Sequence, residues 1–501
     1  MSPRATDSLW IDTAPATAHP PLERDLEVDV AVIGGGIAGV TTALFCKQDG
    51  LRVALLEKGV VAGAATGMST AKASVLQESL LAQVRSTAGR DALLAYAHAN
   101  VAALERMDAL VREHGVDCSW ERLPDYTYAG DESQVASVER IVEAGQEAGL
   151  PVELTTDVPL PFDVPAAARL AGQAQFQPAA YTRALADLVA GDGSVVHEST
   201  LVTGLSEGEP HEVHVDGGIR VRARHVVVAT QYPLLDRGVF FARLEATRSY
   251  IVAGRAGDVP APDAMLITAG QPTRSLRRWG DWLLIGGEGH QTGASKAQPE
   301  RYEQLIDFGR EHFGITDFPY RWSTQDGMPV DHVPYIGRYH PAADRLWVAG
   351  GFQKWGMTNG TVAAIVLSDL IAGRESPYAS QLDPNRARVR SAPKLAQLNL
   401  LAGLHFVGDR LTPAEAGSSE EVPPGEARVV RSGLGKVGVY RDEAAGLHAV
   451  SLRCTHLGCL TKWNDAERSW DCPCHGSRFD VDGNVLAGPA VNPLERRDPP
   501  A

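Results

Sequence analysis

Long apolar runs are missing from this chain. No window approaches the roughly 18 unbroken apolar residues of a bilayer-spanning helix, so no transmembrane segment is expected. The nearest candidates, residues 360–373 and 395–407, are interrupted by Asp369 in the first and by Gln397, Asn399 and His405 in the second. Both read as ordinary helices. The opening stretch MSPRATDSLWIDTAPATAHPPLERDLEVDV also lacks a continuous apolar core. No secretory leader is therefore expected, and the expected location is cytoplasmic. Positive charge is in deficit: 47 Lys and Arg against 62 Asp and Glu leave a net charge of −15. That balance argues against nucleic acid or an anionic membrane surface as the main partner. Cysteine is scarce, six in 501 residues, and unevenly spread. Cys46 and Cys118 are isolated, whereas Cys454, Cys459, Cys472 and Cys474 fall within 21 residues. In a cytosolic protein such a group suggests a metal centre before a disulfide scaffold.

What is present points to a globular chain of two to four domains. Hydrophobic residues make up 44% and charged residues 22%, which excludes a collagen, a coiled coil or a disordered tail. Residues 1–25 are rich in Pro, Ala and Thr and read as a loose N-terminal arm. Residues 28–35, 51–57, 225–229 and 346–351 read as buried strands. Residues 37–47, 91–114 and 361–371 read as helices, the second closed by Gly115. Asp216-Gly217-Gly218 reads as a hairpin turn, and residues 242–289 as a meander of strands. This order predicts one large α/β unit over residues 26–390 with an antiparallel substrate layer. Residues 391–420 read as a linker, and residues 421–501 as a small all-β module.

The segment VAVIGGGIAG places Gly34, Gly36 and Gly39 in G-x-G-x-x-G spacing between a strand and a helix. The first glycine permits the tight turn. The second lets a pyrophosphate approach the backbone at a helix N-terminus, and the third lets the helix pack on the sheet. Glu57 ends the next strand, 18 residues after Gly39. A carboxylate there can accept hydrogen bonds from ribose hydroxyls. Dinucleotide binding follows, although the spacing alone does not separate FAD from NAD.

Further segments resemble the D-amino-acid-oxidase-like family of FAD-dependent oxidoreductases over roughly residues 26–375. They are GAATGMSTAKAS (63–74), QAQFQPAAYTRALA (173–186), HVVVAT (225–230), QDGMPVDHVPYIG (325–337) and VAGGFQKWGMTNG (348–360). The resemblance implies an α/β FAD-binding (Rossmann-like) domain with an antiparallel substrate sheet. It also implies FAD contacts at Lys58 and Thr230 and flavin neighbours at Gly350, Gly356 and Met357, with Lys354 and Trp355 nearby. A helix N-terminus aimed at the ring would stabilise its anionic reduced form. No substrate-recognition set stands out. Arg248, Tyr250, Trp279 and Trp355 are candidates for the substrate face, and each also suits a packing or surface role. His290 and His332 suit structural roles.

Cys454-Thr455-His456 is followed after 15 residues by Cys472-Pro473-Cys474-His475. Two thiolates and two imidazoles suit zinc or an iron–sulfur centre. Structural zinc sites pair Cys with Cys and His with His within each loop, whereas here each loop supplies one of each. That mixing suits a binuclear cluster in which one iron takes both thiolates and the other both imidazoles. CTHLGC (454–459) and CPCHGS (472–477) resemble the Rieske [2Fe–2S] family, over about residues 426–494. The resemblance implies Cys454, His456, Cys472 and His475 as ligands. It further implies a disulfide between Cys459 and Cys474, as in the cytochrome bc type, and a covering loop at Gly488-Pro489-Ala490. In that type a serine and a tyrosine donate hydrogen bonds to the cluster sulfurs. Ser477 is present here, but Phe479 stands at the tyrosine position. One fewer such bond predicts an intermediate potential.

Together the two halves predict a dehydrogenase of a small amine or amino acid. Its electrons would pass from FAD to the cluster and on to an external acceptor of unknown identity. Two alternatives stay open: a Rieske-fed flavin reductase or monooxygenase, and a non-catalytic redox carrier or sensor.

Overall fold

The computed structural model describes residues 8–293, 299–411, 413–433 and 435–500. Two large sheets carry the body among these residues. The first runs Tyr335–Arg338, Leu346–Gly350, Arg220–Gln231, Leu26–Ile33, Val53–Leu56, Val195–His197. From Leu346–Gly350 onward its neighbours are parallel. Parallel strands are covered on both faces, which is why Val30, Ala31 and Val32 form an apolar run and are fully buried. The helices Ile37–Gln48 and Gly356–Ile371 cover one face and pack on each other. A side-chain carbon at Gly360 would lie 2.9 Å from Ile37 Cγ2, so the close helix contact depends on that glycine.

The second sheet runs Tyr320–Pro329, Leu244–Arg255, Trp282–Gln291, Arg274–Trp279, Met265–Thr268, Glu121–Tyr128, Ala167–Gln175, Lys72–Ala73. It is antiparallel except where Met265–Thr268 meets Glu121–Tyr128. The expected meander is thus its middle, and strands from distant segments complete it. The long helix Arg90–His114 ends, as its spacing predicts, at Gly115 with φ +60°, whose N–H returns to Val111 O.

Two expectations need correction. The N-terminal arm is not wholly loose. The Leu9–Thr13 helix buries Leu9 and Trp10 completely, Ser8 Oγ donates to Gly67 O at 2.5 Å, and the Trp10 indole donates to Ser69 O at 2.8 Å. Burial of Leu9 and Trp10 together with these hydrogen bonds offsets the cost of ordering the segment. The 391–420 linker is mostly a helix, Ala392–Leu411, laid along the body. Asn399 Nδ2 donates to Ala242 O at 2.9 Å, and Lys394 pairs with Glu245 at 3.1 Å.

The C-terminal module is all-β among the described residues from Ala427 onward. A three-stranded sheet (Ala427–Ser432, Gly435–Arg441, Leu447–Ser451) faces a four-stranded one (Lys462–Asn464, Ser469–Asp471, Arg478–Phe479, Val485–Ala487). Their shared core holds Trp470 and Phe479, both fully buried, together with the four clustered cysteines. The module packs on the second sheet. Arg248 Nη2 meets Glu467 Oε2 at 3.1 Å, and Tyr302 Oη donates to Glu467 Oε1 at 2.8 Å. No helix among the described residues is long and apolar enough to cross a membrane.

Candidate functional site

A cavity of about 630 Å³ lies between the two sheets and is closed at one side by the C-terminal module. Its floor is the glycine turn. Gly34 has φ +111°, and a side-chain carbon there would lie 2.6 Å from Ala229 O, so only glycine fits. Gly36 caps the Ile37–Gln48 helix and lines the cavity. Gly39 stands outside the lining. A side-chain carbon on it would lie 1.9 Å from Gly34 O, so its work is to bring helix and turn together. Glu57 Oε2 accepts from Gly35 N at 2.7 Å and Oε1 from Gly59 N at 2.8 Å. Those bonds fix the carboxylate at the cavity wall and leave a lone pair on each oxygen. Lys58 Nζ donates to Leu486 O at 3.0 Å, so the cation beside Glu57 anchors the C-terminal module.

Thr230, Gly356 and Met357 line the same cavity, as do Lys354 and Trp355. Gly350 does not. It ends its strand between Gln231 and Tyr335, and the lining position falls to Gly351 with φ +72°. A dinucleotide fits this cradle: glycines where a side chain would collide, a helix N-terminus, and an oriented carboxylate.

The substrate-face candidates separate. Tyr250 and Trp355 line the cavity. Tyr250 Oη lies 3.0 Å from His290 Nε2, while His290 Nδ1 lies 2.8 Å from Gln291 O. Burial, then the neighbouring Arg301 charge, pushes His290 down to about 4, so the neutral ring accepts from the tyrosine. Arg248 instead points into the domain interface. Trp279 packs edge-on against Trp10 at 5.3 Å, and His332 Nδ1 lies 2.9 Å from Gln353 Oε1.

The charged residues that sequence reading missed are Lys72, Glu78 and Asp326, all lining the cavity. Lys72 Nζ donates to Leu266 O at 2.5 Å, and burial lowers it to about 8. Burial raises Glu78, against the pull of Lys354 and Lys72. Burial also raises Asp326, to about 6, against Lys354. Lys72 and Asp326 fall inside the family-like 63–74 and 325–337 segments, but nothing in the spacing marks them as charges facing the cavity, and Glu78 lies outside any such segment.

The second site is built by two loops of like geometry. Gly458 N donates to Cys454 O at 3.0 Å and Gly476 N to Cys472 O at 3.0 Å. Both glycines are left-handed, at φ +80° and +78°. The loops bring Cys454, His456, Cys472 and His475 together. The two imidazoles meet edge-to-face with centroids 5.0 Å apart, and both rings abut Phe241. Both thiols are buried. A hydrogen bond from Cys472, then the His456 N–H and Ser477 hydroxyl, hold Cys454 down at about 7 despite burial. Cys459 and Cys474 form a disulfide with Cα atoms 6.6 Å apart, joining the two loops. The sulfurs of Cys459, Cys472 and Cys474 lie within 4.8 Å of one another, but two of the three are committed to that bond. Ala490 N donates to Ser477 Oγ at 3.0 Å, which brings the third loop over the site. One Cys and one His from each loop fit a binuclear iron–sulfur cluster.

The two sites touch. Gln325, which lines the cavity, donates through Nε2 to Gly476 O at 2.8 Å, and Leu486, Gly488 and Pro489 close the cavity wall.

Comparison with known proteins agrees with this division. Residues 29–370 match the family described as FAD dependent oxidoreductase (DAO), and residues 412–497 match the Rieske [2Fe-2S] domain. The chain is 34% identical over 500 residues to YhfW of Bacillus subtilis (strain 168), named as a Rieske 2Fe-2S iron-sulfur protein, covering 99% of this chain and 98% of that one. Glycine oxidase from Geobacillus kaustophilus superposes with a TM-score of 0.62 at 21% identity, over 72% of this chain and 99% of its own. L-proline dehydrogenase from P. horikoshii superposes with a TM-score of 0.60 at 20% identity, over 73% of this chain and 98% of its own. These two likenesses show the fold. The chain is an oxidoreductase that belongs to the DAO family of FAD-dependent enzymes and carries a C-terminal Rieske domain, with FAD and a [2Fe–2S] cluster as its cofactors.

Proposed function

We propose that the protein is a dehydrogenase of a small amine or amino acid that sends its electrons through the Rieske centre to an external acceptor. The observation that carries this reading is the contact between the sites: the loop bearing Cys472 and His475 rests on Gln325 at the cavity wall. Glycine oxidase and L-proline dehydrogenase, named for amino-acid substrates, share the fold of the larger domain and support the substrate class.

When bound, FAD supplies a two-electron acceptor for a C–N bond, and the cluster supplies a one-electron outlet. The chain's own residues do the rest. Gly34, Gly36, Glu57, Lys58 and Thr230 would hold the dinucleotide, and Gly356 and Met357 would border the flavin end. Gly39 would act through helix packing. Cys454, His456, Cys472 and His475 would ligate the cluster, and the Cys459–Cys474 disulfide would hold their loops in register. The module that closes the cavity would exclude water from it.

The test is an anaerobic titration of purified holoprotein with a panel of amines and amino acids. Flavin bleaching followed by the EPR signal of the reduced cluster is the expected result. Bleaching without that signal sinks the pathway.

A further inference from the structure

Among the residues other than glycine with left-handed backbone at or beside the cavity, Gln77 (φ +54°), Glu78 (+55°), Gln353 (+51°) and Lys354 (+71°) occur in consecutive pairs. They form two dipeptides of one design. In each, the glutamine is buried and anchored. Gln77 Nε2 donates to Ser74 O at 2.8 Å and to Asn100 Oδ1 at 2.9 Å, and Tyr96 Oη donates to Gln77 Oε1 at 2.5 Å. Gln353 N donates to Gly327 O at 3.3 Å, and His332 Nδ1 lies 2.9 Å from its Oε1. In each, the next residue is charged and lines the cavity. Left-handed backbone is unfavourable for such residues, and strain of this kind collects at ligand sites.

The two charges line one cavity without closing into a pair. Lys354 is the strongest charged influence on Glu78, yet neither side chain makes a hydrogen bond or ion pair among the described residues. The other lining cations are engaged, Lys58 with Leu486 O and Lys72 with Leu266 O. Around Lys354 lie further groups with bonding capacity to spare. Asp326 Oδ2 and Ser249 Oγ are buried without a hydrogen-bond partner. A side-chain carbon at Gly289 would fall 3.1 Å from Lys354 Nζ and 3.4 Å from Ser249 Oγ, so that glycine keeps the space between them open. Separated opposite charges on strained, firmly anchored backbone suit a ligand that carries both complements.

We propose that Lys354 and Glu78 are the two poles of the substrate site, Lys354 taking a carboxylate with Ser249 beside it, and Glu78 taking an ammonium. The ligand is then a small zwitterion rather than a simple amine. This rests on the dehydrogenase reading above and names the residues that would select its substrate.

The test titrates holoprotein anaerobically with glycine, L-proline, methylamine and acetate while following the flavin spectrum. In the unaltered protein the amino acids should half-saturate at lower concentration than methylamine or acetate. Lys354→Met should raise the half-saturating amino-acid concentration at least about tenfold, the weight of one charged hydrogen bond, and leave methylamine unmoved. Glu78→Gln should weaken amino acids and methylamine but not acetate, and Lys354→Arg should recover part of the loss. FAD content and the cluster's EPR signal should stay constant in every variant. An unmoved amino-acid curve in Lys354→Met, or loss of FAD from it, overturns the proposal. Methylamine bleaching the flavin as readily as glycine and L-proline overturns it too, while leaving the dehydrogenase reading standing. If no compound on a wider panel alters the flavin, the dehydrogenase reading itself falls.

Discussion

Gln325 Nε2 donates to Gly476 O at 2.8 Å, tying a strand of the second sheet to the loop that carries Cys472 and His475. The Gln325 carbonyl in turn accepts from the Gln231 side chain, and both glutamines line the cavity. The packing around this tie is tight, since a side-chain carbon at Gly476 would lie 2.3 Å from Ala246 Cβ. The bond fixes how closely the cluster loop approaches the cavity wall. Gln325→Leu removes it at similar volume. The expected outcome is slower appearance of the reduced-cluster EPR signal in freeze-quench experiments, with flavin bleaching by substrate unchanged. Equal slowing of both would instead place Gln325 in the substrate step.

The Arg248–Glu467 pair crosses the domain interface with only 2% and 7% of its side chains exposed. Arg478 stands 3.8 Å from the same glutamate and 2.9 Å from Asp471. Glu467→Gln would leave Arg248 buried without its counter-charge, and breaking a buried pair costs about 3–5 kcal/mol. The loss should appear as undocking. In urea, cluster absorbance and flavin fluorescence should lose their signals together in the unaltered protein and at separate midpoints in the variant. Unshifted, coincident transitions would refute it.

Asp331 binds Arg386 through both oxygens, at 2.7 and 2.9 Å, and Arg388 at 3.2 Å. Burial alone would raise this carboxyl, but the Arg386 hydrogen bonds and charge, the Val333 N–H and Arg388 outweigh it and hold it below the usual range. A depressed carboxyl contributes stability that is present above its unfolded value, about 3.9, and lost as pH falls through the folded value. Asp331→Asn should therefore destabilise the protein by about 3–5 kcal/mol at pH 7. Below about pH 4 the gap should narrow, because the unaltered protein is then losing the same contribution. Urea midpoints of both proteins across that range check this, and a gap independent of pH would contradict it.

The parts legible in the sequence are those whose chemistry is local. The Gly34–Gly36–Gly39 turn and the two Cys–His loops each complete their geometry within a few residues, so spacing carries the information. Lys354 lies in the family-like 348–360 segment, but Glu78, 276 positions away, carries no motif, and only the fold brings the two to one cavity. Arg248 stayed open between a substrate contact and a packing role for a related reason. An arginine on a substrate-sheet strand suits either role until the partner at Glu467, supplied by the other domain, is in view. The N-terminal arm and the linker failed on composition. The Pro, Ala and Thr of the arm mask Trp10, whose burial docks it, and the Pro, Arg, Glu and Ser around the linker mask Arg386 and Arg388, which tie down its approach.

Ser477 and Phe479 bear on the potential of the cluster. The Ser477 hydroxyl lies within hydrogen-bonding reach of the Cys454 sulfur while its oxygen accepts from Ala490 N at 3.0 Å. Phe479 is fully buried in the same core as Cys454 and Cys472 and has no hydroxyl to offer. Hydrogen bonds to the sulfurs favour the reduced, more negative cluster and so raise its potential. Ser477→Ala should lower the midpoint. Phe479→Tyr should raise it, provided that the ring keeps its rotamer and the new hydroxyl reaches a sulfur. A redox titration monitored by EPR reads both shifts, with unchanged g-values in Ser477→Ala reporting that the ligands are intact. The two variants moving in the same direction would contradict a hydrogen-bond origin. A starting potential as low as that of plant-type ferredoxins would contradict the intermediate value expected from one serine and no tyrosine.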